Sequence, residues 1–73
     1  MKVEIVVAVE HEAALQKLIH DASLFFKKGI WDKEGRVVFF VVVDTGSIVD
    51  VTQIMGIAHH MGEKGIPLVF AKV

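Results

Sequence analysis

Between Arg36 and Asp44 the chain reads Val37-Val38-Phe39-Phe40-Val41-Val42-Val43, with no polar side chain in the run. A membrane-crossing helix needs about 20 apolar residues, so this run is far too short to be one. β-Branched and aromatic side chains fit a pleated surface and lose rotamer freedom in a helix, which makes the run a strand. Val37, Phe39, Val41 and Val43 fall on one face and Val38, Phe40 and Val42 on the other. A strand apolar on both faces belongs inside a sheet, with both faces to be covered.

The other segments are read from their spacing. Lys2 to Val9 alternates, with Val3, Ile5, Val7 and Val9 on one side and Lys2, Glu4, Val6 and Ala8 on the other, which predicts a strand with one strongly apolar face. From His11 to Lys28 the apolar residues Ala14, Leu15, Leu18, Ile19, Ala22, Phe25 and Phe26 recur three and four apart, as on one face of a helix. Lys27-Lys28-Gly29 then supplies cations and a glycine suited to its C-terminus. Trp31-Asp32-Lys33-Glu34-Gly35 reads as a connecting turn in which Trp31 folds back over the core edge. After Asp44-Thr45-Gly46 a second helix turns Ile48, Val51, Ile54, Met55, Ala58 and Met61 inward, and Gly62 and Gly65 mark its end. Pro67 lacks an N–H to donate, so Ile66 to Val73 is expected to be an edge strand.

This succession predicts a single α/β domain over residues 1–73, with a three-stranded, mainly parallel sheet in a βαβαβ arrangement. Order 1-2-3 sets both helices on one face; order 2-1-3, a flavodoxin-like arrangement, sets them on opposite faces. Glu4 disfavours a central first strand and therefore favours 1-2-3. Three strands of about eight residues make a face of about 26 by 14 Å, and two helices cover it on one side only. The uncovered face would leave Phe and Val side chains in water, so the chain is expected to be a homodimer by sheet stacking, with edge-to-edge pairing as the alternative.

Composition supports that expectation and removes several functions. The sequence is 53% hydrophobic against 23% charged, a high ratio for a particle of 73 residues, whose surface calls for many polar groups. It has no cysteine, which excludes disulfides, thiol nucleophiles and thiolate metal sites. The formal net charge of -1 offers no cationic field, so nucleic acid is not the expected partner, and no segment calls for a membrane. The opening Met-Lys-Val-Glu-Ile lacks the pattern of a signal peptide, and a cytoplasmic location is expected.

In a parallel sheet ligands collect beyond the carboxyl ends of the strands, where helix N-termini offer free N–H groups. That rule selects Glu10-His11-Glu12 and Asp44-Thr45-Gly46-Ser47 on a shared rim. The candidate ligand residues are Glu10, His11, Asp44, Thr45, Gly46 and Ser47, with Glu10, His11 and Asp44 able to ligate a divalent cation. Ser47 and Asp50 also fit a capping box, which accounts for most of the second loop without a ligand. Glu10 and Glu12 likewise complement the positive end of a helix.

The remaining candidates have simpler explanations. His59 and His60 are about 100° apart around a helix and cannot share one ion easily. His59 and Glu63 are four apart and able to ligate together, yet imidazoles near a helix C-terminus suit the dipole on their own. His20 lies on a polar stripe. Lys27, Lys28, Lys33 and Arg36 surround Trp31, but Asp32 and Glu34 interleave and weaken a nucleic-acid surface. The segment Glu63-Lys64-Gly65-Ile66-Pro67-Leu68-Val69-Phe70 resembles a helix-to-strand join common to many α/β families, small RNA-binding ribosomal proteins among them, and assigns no family.

The expected function is therefore that of a homo-oligomeric interaction or binding module. The alternative is a site for a small ligand, an anion or a divalent metal on the rim, with hydrolysis as its chemistry. Neither a catalytic residue nor a cofactor is assigned from the sequence.

Overall fold

The computed structural model describes residues 2–72, with Lys33 and Lys72 described by their backbone. The elements are β1 (Lys2–Ala8), a 3-10 turn at Val9–His11, α1 (Glu12–Asp21), β2 (Phe26–Lys33), β3 (Arg36–Asp44), α2 (Ile48–Glu63) and β4 (Leu68–Lys72). The sheet has four strands in the order β2-β3-β1-β4, and each neighbouring pair is antiparallel. This corrects the expected three-stranded parallel sheet in strand number, direction and order. β1 and β2 do run the same way, but β3 lies between them, as in the split βαβ units of a ferredoxin-like fold.

The correction comes from residues 22–35. α1 stops at Asp21, where Ser23 takes a left-handed φ of 57°. The Leu24 N–H donates to the Ile19 carbonyl (3.3 Å) and the Ser23 N–H to the His20 carbonyl (3.0 Å), which is a Schellman motif. Leu24 and Ile19 are both buried, so the motif also closes over an apolar contact. Phe26–Lys33, read as a helix end and a turn, is a strand paired with β3 from Phe26↔Val43 to Lys33↔Arg36. Glu34 and Gly35 form the two-residue turn of this hairpin with φ of 55° and 77°, the positive pair that a type I′ turn needs.

α2 ends in the same way as α1 but with glycine in the strained position. Gly65 has φ of 71°, and the N–H groups of Ile66 and Gly65 donate to the carbonyls of Met61 and Gly62, each at 3.0 Å. Its N-terminus is capped as the sequence suggests: the Asp50 N–H donates to Ser47 Oγ (3.3 Å) and the Gly46 N–H to Asp50 Oδ2 (3.0 Å).

Both helices pack on one face of the sheet. Ile5 and Val7 of β1 and Phe39, Val41 and Val43 of β3 meet Leu15 and Ile19 of α1 and Ile54, Ile57 and Met61 of α2 in one core. Ile48 and Met55, expected inward, point to solvent; the stripe that reaches the sheet is Ile54, Ile57 and Met61. β1 is central despite Glu4, because Glu4 belongs to the face away from the helices and is only half-buried there. Among the described residues no helix is long and apolar enough to cross a membrane.

Candidate functional site

Cross-strand register fixes what the face opposite the helices carries, since directly paired residues share a face. Lys27, Val42, Glu4 and Ala71 form one row across the sheet; Gly29, Phe40, Val6 and Val69 form the next; Trp31, Val38 and Ala8 form a third. Lys2 and Asp44 are paired at one end of this face. Arg36 stands at the other end, where Glu10 follows β1. The middle is apolar and its ends are charged.

Gly29 is what lets the aromatic residues settle. A Cβ built there would lie 2.6 Å from Phe40 Cζ and 2.7 Å from its Cε1, so the Phe40 ring occupies the space that any other residue would need. The ring covers a strand position that has no side chain of its own to pack, a recurrent remedy for glycine on edge strands. Trp31 meets Phe40 edge-on, with ring centroids 5.1 Å apart and planes at 62°. Trp31 is therefore not a plug over the core edge; it belongs to the open face, where it is 40% exposed, and Val69 is 64% exposed.

Two shallow troughs mark this face. One, of about 620 Å³, has a floor that includes Val6, Ala8, Val38 and Val69 and takes in Glu10, Arg36 and Pro67. The other, of about 390 Å³, is formed by Lys2, Lys27, Val42 and Asp44 together with Phe25 and Phe26. Phe25 is 89% exposed.

The residues singled out from sequence are divided between the two ends of the sheet. β1 and β3 are antiparallel, with Lys2 opposite Asp44 and Ala8 opposite Val38. Glu10 and His11 therefore follow one end of the sheet, whereas Asp44, Thr45, Gly46 and Ser47 lie at the other, about 20 Å of strand away. One chain does not bring Glu10, His11 and Asp44 around a common ion, and among the described residues no group of three or more His, Asp or Glu is placed to hold a metal. His11 lies 3.9 Å from Glu10, Thr45 is buried, and Gly46, Ser47 and Asp50 are engaged in the α2 cap. His59 Nε2 contacts Glu63 Oε1 at 2.9 Å along exposed α2. α2 leads back to the start of β4 beside Val7, so these side chains lie at the Glu10 pole.

Sequence reading missed Gly29, Trp31 and Phe40 as a unit. The available signal was a glycine flanked by Lys27 and Trp31 at alternate positions, visible only once residues 26–33 are taken as a strand.

No family model matches the sequence, and no curated protein matches it significantly. Several solved structures share the fold. A formyltetrahydrofolate deformylase from Pseudomonas putida aligns over 100% of this chain with a TM-score of 0.62 and 10% identity; the chain spans 29% of that protein. A putative PII-like signaling protein from Thermus thermophilus aligns over 96% of the chain and 78% of its own length, with a TM-score of 0.64 and 12% identity. CPII from Thiomonas intermedia, a nitrogen regulatory PII-like protein solved with ADP, AMP and bicarbonate, aligns over 96% and 84%, with a TM-score of 0.64 and 9% identity. At such identities the likeness establishes the fold and no function.

Proposed function

We propose that the chain is a homo-oligomeric interaction module that associates through its open sheet face. The observation that carries this is the apolar middle of that face, where among the described residues no helix or loop is layered over Trp31, Phe40, Val6, Val38 and Val69. Four strands of about seven residues give a footprint of about 19 by 24 Å, so stacking two such faces buries roughly 1,000 Å². That is the lower bound for a specific interface and supports dissociation in the micromolar range. As part of this reading, residues 1–73 act as one domain in the cytoplasm.

Sedimentation velocity at about 100 µM tests the proposal. The wild type is expected to sediment as an oligomer, and Val38→Lys and Val6→Lys as monomers with unchanged far-UV circular dichroism. A monomeric wild type at that concentration overturns it.

A second reading is supported by the charged troughs on the same face and by the nucleotides bound to CPII. In it, a small anionic ligand with an aromatic ring packs against Phe25 while Lys2 and Lys27 meet its phosphate. This moves the ligand away from His11, Thr45, Gly46 and Ser47 and retains Asp44 at the trough wall. AMP and ADP should then raise the melting temperature, and Phe25→Ala should remove the effect; no shift with either nucleotide rejects it.

A further inference from the structure

We propose that the outer edge of β4, together with the flank of α2 above it, is a second contact surface, and that its occupant is another copy of this chain related by a two-fold axis normal to the sheet. The two β4 strands then pair antiparallel into one eight-stranded sheet. This surface is separate from the open face and does not rest on the reading given for it.

The sheet has two edges, β2 and β4, and they are unlike. Right-handed crossovers set α1 over the β3–β2 side of the sheet and α2 over the β1–β4 side. β2 carries Lys27, Lys28 and Asp32, charges of the kind that keep an edge from pairing with another chain. The α1 flank beside it is polar as well: Lys28 Nζ donates to Gln16 Oε1 at 3.1 Å, and Gln16 Nε2 donates to Glu12 Oε1 at 3.0 Å. β4 reads Leu68-Val69-Phe70-Ala71 before Lys72, with no charge in those four positions, and Val69 and Phe70 are exposed.

α2 continues the contrast. At about 100° per residue, with buried Ile54, Ile57 and Met61 directed at the sheet, Ala58, Val51, Gly62, Met55 and Ile48 lie about 60–140° round the helix on one side. A right-handed helix that runs opposite to β4 turns that side outward, over the β4 edge. The same construction places Gln16 of α1 over β2, in agreement with its bond to Lys28. Ile48 is 79% exposed and Met55 68%. Strand and helix therefore present one apolar edge, two layers deep.

A second copy fits this edge because one axis satisfies both layers. α2 lies between β1 and β4, so pairing β4 with its counterpart sets the two α2 axes two strand spacings apart, about 10 Å, which is the separation of packed helices. A lone strand added from another source would leave Ile48 and Met55 uncovered. An axis through Phe70, the middle of β4, also passes near Met55. Phe70 pairs with Ile5, and Ile5 with Val41, about 10 Å of strand from Asp44; Met55 is likewise about 10 Å along α2 from Ile48. Antiparallel packing of α2 about Met55 sets Ile48 against Gly62 of the second copy, a large side chain on a gap. A Cβ at Gly62 would meet nothing within 4 Å, so among the described residues no neighbour calls for glycine there. A five-residue ladder about 17 Å long and two layers about 20 Å thick bury roughly 700 Å² over both copies, a weak contact with a dissociation constant of about 1 mM.

The Val38→Lys chain, in which the open face is blocked, isolates this contact, and Val6→Lys supplies a second background; far-UV circular dichroism verifies folding of each variant. Small-angle X-ray scattering is expected to give a weight-average mass close to the monomer at about 100 µM and about 1.6 times the monomer at about 2 mM. Adding Gly62→Leu or Met55→Lys should hold the mass at the monomer throughout, and Gly62→Leu should not lower the melting temperature at about 100 µM. A Val38→Lys chain still monomeric at about 2 mM overturns the proposal, as does a trimer, or a dimer that Gly62→Leu and Met55→Lys leave unchanged. A wild type monomeric at about 100 µM that gains mass at about 2 mM, and loses that gain with Gly62→Leu, removes the open-face reading and upholds this one.

Discussion

Ser23 and Gly65 occupy the same position in two Schellman motifs, with φ of 57° and 71°, and exchanging their chemistry isolates the energy of left-handed backbone in this fold. An L-residue there costs about 1–2 kcal/mol, while glycine costs about 0.5–1 kcal/mol in unfolded-state entropy. Ser23→Gly should therefore stabilise by about 0.5–1 kcal/mol, and Gly65→Ala should destabilise by a similar amount. A Cβ at Gly65 would meet nothing within 4 Å, so the second change tests the backbone alone. With an unfolding entropy of about 2.1 cal/mol/K per residue over 73 residues, these energies correspond to about 3–7 °C in melting temperature. Thermal melts followed by circular dichroism suffice, at one fixed protein concentration because association also raises stability. A lower melting temperature for Ser23→Gly, or an unchanged one for Gly65→Ala, refutes the reasoning.

Three further outcomes follow from the structure. Leu15→Ala empties the middle of a fully buried contact between α1 and the sheet and should cost about 2–5 kcal/mol in urea denaturation. Ser47→Ala removes the acceptor for the Asp50 N–H at the start of α2 and should cost about 1 kcal/mol by the same measurement. Because Glu10 and His11 are a sheet length from Asp44, alanine at all three should leave any thermal response to Mg²⁺, Mn²⁺ or Zn²⁺ unchanged; a response lost in the triple variant would show that an assembled form unites them.

What could be read from the residues was largely what repeats with a fixed period. The alternation of Val3, Ile5 and Val7, the two apolar faces of β3 and the Ser47–Asp50 cap all appear in the structure where their spacing suggested. β2 was hidden because each of its signals has a helical counterpart. Phe25 and Phe26 continue the three-and-four spacing of α1, the Schellman stop uses serine instead of glycine, and Lys27-Lys28-Gly29 fits a helix end as well as an edge strand. Neither face of β2 is uniformly apolar, so it takes its conformation from the turn at Glu34-Gly35 and from the ladder with β3. One missed strand reversed the direction of β3 relative to β1, and that reversal moved Asp44 to the far end of the sheet from Glu10.

The central place of β1 also orders events in time. Its partners are remote in sequence: Val3 pairs with Val43 on one side and with Lys72 on the other. The β2–β3 hairpin instead closes on itself, from Lys33↔Arg36 outward. Loop closure for β1 must be met before its ladders return any energy, so the hairpin is the segment able to form first and β1 is the strand that waits. β1 precedes the hairpin along the chain yet is thus among the last strands to find its place, and until then β3 offers both of its apolar faces and its β1-facing backbone to any passing chain.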